Sequence, residues 1–163
     1  MTEVLLRIRR RPYVMLGLLA LAFAVAALTA GTAFRPWPLG GTLTWQVVTG
    51  TLLLTGMGYQ WMLLRARTGG TAADVRRHYA AHRWVGVGLV LVFALHAVRF
   101  GHAWTSALAL CFVAIAATGL LNREVIPYRS RWLYRAWLWM HIALSSALIP
   151  LVALHIWVAL TYQ

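Results

Sequence analysis

The chain has 163 residues, a formal net charge of +12 and 61% hydrophobic residues. Only 11% of its residues are charged, against roughly 25% in a soluble domain, which excludes most soluble enzymes; a nucleic-acid binder would be polar outside its basic patch. The lone Cys111 excludes an internal disulfide and any Cys-rich metal or iron–sulfur site.

A membrane-crossing helix needs about 20 apolar residues, and uncharged stretches predict five of them. The first covers 12–34, after Arg7, Arg9, Arg10 and Arg11. It is longer than the apolar part of a secretion signal and reads as a retained first helix. The second covers 43–64, and Thr68-Gly69-Gly70-Thr71 behind it reads as a turn. The third covers 82–100 and the fourth 104–121, close enough in sequence to form a tight antiparallel hairpin. The fifth covers 137–160, with Pro150 expected to kink it. The expected fold is all-α: a polytopic bundle of five transmembrane helices, one domain over residues 1–163.

The arginines orient this bundle. Arg35 and Arg99 fall on one side, and the other thirteen lie before span one, between spans two and three, or between spans four and five. The positive-inside rule then places the N-terminus in the cytoplasm and the C-terminus outside, in the cell (inner) membrane. Tryptophan agrees. Trp37, Trp45, Trp104 and Trp157 fall at outer span ends, and Trp61, Trp84, Trp132, Trp137 and Trp139 at inner ends, as lipid-interface belts do.

Histidines carry the chemistry. His82 and His96 lie on span three, His141 and His155 on span five, each pair 14 residues apart. Fourteen residues make nearly four helical turns, so each pair shares a face, about 21 Å apart along the axis. The two spans run in the same direction, so His82 and His141 share an inner depth, and His96 and His155 an outer one. Two parallel helices with histidines at two matched levels can build two bis-histidine sites. Haem suits them, because its iron takes an imidazole on each side; zinc would need more ligands at one point. Gly86 and Ser145 lie one turn beyond His82 and His141 on the same faces and give a porphyrin room to approach. Phe93 lies between the span-three ligands. His78 is an alternative inner ligand in a basic loop, and His102 a solvated residue of the outer hairpin or a neighbour of an outer haem edge or quinone.

The residues His82-Arg83-Trp84-Val85-Gly86, followed by Leu95-His96-Ala97, resemble the third-helix motif of the ferric reductase-like transmembrane domain superfamily. That superfamily includes ferric reductases, NADPH oxidases and the haem subunits of periplasmic methionine sulfoxide reductases. The resemblance covers spans three to five, and spans one and two by hydropathy alone. It implies an inner haem b on His82 and His141 and an outer haem b on His96 and His155. The family usually has six helices, against five expected here. The chain offers neither a Gly-rich dinucleotide loop nor space for one, so the expected donor is a separate protein or a quinol.

Haem propionates need cationic partners, and Arg83 and Arg135 at the inner level and Arg99 at the outer level are placed to supply them; Arg131 is a further inner candidate. The expected function is therefore a membrane-embedded di-haem cytochrome b subunit. It would carry electrons between a quinol or donor protein and a partner redox protein, within a complex of other subunits and without nucleic acid. Two other readings stay open. One is a stand-alone transmembrane reductase of an outer-face acceptor, ferric iron or oxygen. The other is a haem-free structural or assembly subunit whose histidines pack or relay protons.

Overall fold

The computed structural model describes residues 2–30, 42–97 and 103–161. Every element among them is helical: α1 (Thr2–Arg9), α2 (Pro12–Ala30), α3 (Leu43–Gln60), α4 (Met62–Gly69), α5 (Ala72–His96), α6 (Ala103–Leu120) and α7 (Arg131–Thr161). Five segments are long and apolar enough to cross a membrane: α2, α3 continued by α4, α5, α6 and α7.

The helix bounds depart from the expected spans in an instructive way. Helix α5 begins at Ala72 rather than near His82, and α7 at Arg131 rather than Trp137. Hydropathy marks where a chain leaves lipid, not where its helix stops, and arginine and alanine are good helix formers in water. Thr71 fixes the early start of α5 through a capping box. Its hydroxyl accepts from the Asp74 amide at 3.2 Å, and the Thr71 amide donates to the Asp74 carboxylate at 2.9 Å. Arg76, Arg77 and His78 are therefore helical rather than part of a loop. Helix α7 runs through Pro150 unbroken. Residues 31–41 and 98–102, with Arg35, Arg99, His102 and the expected tight connection, lie outside the described residues.

The chain forms two compact units. The first, Tyr13–Arg99, contains α3 and α5 packed antiparallel. The Trp45 indole N–H donates to the Leu95 carbonyl at 3.0 Å near one end, and Gln60 Nε2 donates to the His82 carbonyl at 3.2 Å near the other. Leu53, Val87, Leu89, Val90 and Phe93 are buried here. Helix α2 buries Tyr13, Gly17, Ala20, Ala24 and Ala27, a stripe at helical spacing whose small side chains allow close backbone approach. At Gly70 a Cβ would lie 2.7 Å from the Ala66 carbonyl oxygen, so the corner between α4 and α5 closes only around glycine.

The second unit, Met1–Pro12 with Phe100–Gln163, contains α6 and α7, also antiparallel. Cys111 Sγ donates to the Leu144 carbonyl at 3.4 Å, and the Trp137 indole N–H to the Thr118 carbonyl at 2.8 Å. The turn after α6 is tied by buried Asn122, which donates to the Gly119 carbonyl and accepts from the Glu124 amide. The Tyr128 hydroxyl donates to the Leu121 carbonyl at 2.7 Å, and burial pushes its phenol above the usual value, which keeps that proton in place. An Arg11–Glu124 ion pair at 2.6 Å joins the α1 end of the chain to this turn.

Large apolar side chains remain exposed: Trp139 at 68%, Leu160 at 72% and Leu110 at 59%. In water such a surface would aggregate; against lipid tails it costs nothing.

Candidate functional site

Helix α5 presents His82 and His96, and α7 presents His141 and His155. All four rings are partly buried. Among the described residues no three His, Cys, Asp or Glu side chains gather to hold a metal.

In the first unit, His96 Nδ1 lies 2.9 Å from the Thr49 hydroxyl of α3. Thr49 is itself only 3% exposed, and its hydroxyl donates to the Trp45 carbonyl at 2.7 Å. The next residue is Gly50, where a Cβ would lie 3.2 Å from His96 Cε1. The imidazole thus lies across a bare stretch of α3 backbone.

The second unit repeats the arrangement at the other end of its helix pair. His141 Nδ1 lies 2.8 Å from the Thr118 hydroxyl of α6. Thr118 is 7% exposed and donates to the Ile115 carbonyl at 2.9 Å. A Cβ on Gly119 would lie 3.6 Å from His141 Cε1. Trp137 stacks on the His141 ring at 6.1 Å between centroids and 14° between planes. Tyr134 stacks on Trp137 in turn, at 5.6 Å.

His155 packs beside Trp104, with centroids 5.6 Å apart. The main chain at His82 is held by Gln60, and His78 lies one turn earlier, beside the Tyr59 ring at 6.0 Å. Gly86 faces Gln60, whose Nε2 would be 3.5 Å from a Cβ there, so its missing side chain accommodates an α3 side chain. Ser145 donates back to the His141 carbonyl at 2.8 Å. Arg83 sits over two rings, Tyr13 at 4.8 Å and Tyr79 at 4.5 Å, and Arg135 is exposed on the second turn of α7.

The sequence reading missed Thr49, Gly50, Thr118 and Gly119. Their signal is a Thr-Gly dipeptide on the helix packed against each histidine helix. Thr55-Gly56 and Thr68-Gly69 carry the same dipeptide, and only the packing register separates the pairs that meet an imidazole from those that do not.

The chemistry of His96 and His141 is of the kind a haem ligand needs. Its iron needs one imidazole nitrogen on each side. With Nδ1 of His96 and His141 turned to threonine, Nε2 is the nitrogen each ring offers. A protein that binds iron through histidine usually fixes the ring by a hydrogen bond at its other nitrogen. Compared with known proteins, the chain matches no family model, no curated protein and no solved structure.

Proposed function

We propose that the chain is a di-haem cytochrome b subunit of a redox complex in the cell (inner) membrane, of the ferric reductase-like type. Its N-terminus faces the cytoplasm. His82 and His141 hold an inner haem b, and His96 and His155 an outer one. The observation that carries this reading is the pair of equal 14-residue histidine intervals on α5 and α7. In each pair one ring is hydrogen-bonded at Nδ1 to a buried threonine.

Held by these histidines, haem would supply single-electron transfer. The chain's own residues set the conditions for that. The four imidazoles fix orientation. Arg83 and Arg135, with Arg99 beyond the described residues, would supply positive charge for propionates. A quinol or a separate donor protein delivers electrons on one face, and a partner redox protein accepts them on the other.

Pyridine haemochrome analysis of the purified full chain tests this directly. Two haems b per chain are expected, with split absorbance bands of reduced low-spin haem. Replacing His96 or His155 by alanine should leave one. A wild-type chain without haem, or two haems retained in His96→Ala, would overturn the assignment.

A further inference from the structure

A hydroxyl has one proton to give and two lone pairs to receive with. In both units the threonine proton is already committed. Thr49 donates to the Trp45 carbonyl at 2.7 Å, and Thr118 to the Ile115 carbonyl at 2.9 Å. Three other helical threonines do the same: Thr29, Thr68 and Thr161 donate to carbonyls one turn back at 2.9, 3.2 and 2.8 Å. With the proton given to the carbonyl, the bond to each imidazole runs from Nδ1–H to the threonine oxygen. A neutral imidazole carries one N–H, so the lone pair of His96 and of His141 sits on Nε2.

Burial makes the arrangement specific. Thr49, Thr118 and Asn122 are the buried polar side chains among the described residues, and two of the three meet a histidine. The glycine after each threonine leaves the ring room to lie against the helix. A tryptophan indole pins the register in each unit: Trp45 to the Leu95 carbonyl beside His96, and Trp137 to the Thr118 carbonyl itself.

We infer that Thr49 and Thr118 are positioning residues for one axial imidazole of each haem pair, selecting the Nε2-ligating tautomer and strengthening its donation to iron. The inference rests on the haem reading proposed above. Thr49 acts through His96 on the outer haem, and Thr118 through His141 on the inner one. A hydrogen-bonded Nδ1–H makes imidazole more basic, which favours ferric iron and lowers the midpoint potential.

The test uses the full-length chain carrying Val or Ser at these two positions. Thr49→Val and Thr118→Val keep the shape and remove the acceptor. Each should raise the potential of one haem, a different one in each variant, and weaken haem retention roughly tenfold. Thr49→Ser and Thr118→Ser should restore both. ¹⁵N NMR of haem-free wild type should show His96 and His141 protonated at Nδ1. Two haems in wild type, with potentials and retention unmoved in both valine variants, would sink this inference and leave the haem reading intact. A wild type without haem would sink both. Protonation at Nε2 in the haem-free chain would overturn the tautomer argument even if the valine variants failed to fold.

Discussion

Gly50 and Gly119 stand in the same relation to an imidazole, with different clearance. An added Cβ would meet His96 Cε1 at 3.2 Å in one case and His141 Cε1 at 3.6 Å in the other. The first is tight enough that the ring must shift; the second is ordinary contact. Gly50→Ala should therefore disturb the Thr49–His96 bond and cost about 1 kcal/mol, the low end for overpacking, whereas Gly119→Ala should be nearly silent. Haem content and the low-spin ferric EPR signals of the two variants check this, and equal effects would contradict it. At this scale the histidines were readable because their interval can be counted along one helix. Thr49 and Thr118 were not, because their meaning depends on which residue of the facing helix lies opposite.

Helix ends show a different limit. Arginine-rich segments were read as loops, yet Arg76, Arg77, Arg131 and Arg135 are helical. Charge decides the solvent a helix turn meets, while caps decide where the helix begins. The available sign was Thr71 with Asp74 three residues on, a spacing that lets each satisfy the other's amide. Thr71→Ala should destabilise the first turns of α5 by ~1 kcal/mol. Hydrogen–deuterium exchange should then quicken at the Asp74 and Val75 amides and stay unchanged near His96; no local change would mean the cap is unimportant. The two indole bonds illustrate the same dependence on packing. Trp45 and Trp137 looked like interface anchors, and each also fastens one helix to its neighbour.

For the molecule as a whole, the five spans were legible because lipid offers backbone groups no partners and forces long apolar helices. The pairing of α3 with α5 and of α6 with α7 was not among the expectations, whose one neighbour pair, spans three and four, joins through residues outside the described ones. Short connections suggest neighbours, but the register is set by side chains that do not announce themselves in composition. The proposed orientation follows from arginine alone, and fusions to each terminus can test it. An N-terminal fluorescent protein should glow in the cytoplasm, and a C-terminal alkaline phosphatase should be active outside. Activity of the phosphatase only at the N-terminus would reverse the topology. The Arg11–Glu124 pair is part-exposed and should matter little here, as such pairs usually contribute under about 1 kcal/mol.

Each threonine–histidine bond is made inside its own unit, between residues 47 and 23 positions apart in the chain. This bears on how the protein is made. Contacts of shorter sequence separation form sooner than longer ones. As synthesis proceeds from the N-terminus, His96 can find Thr49 before α6 and α7 have left the ribosome, and His141 can find Thr118 as soon as α7 inserts. Both imidazoles would then be set against their threonines during biosynthesis, ahead of any ligand they take up.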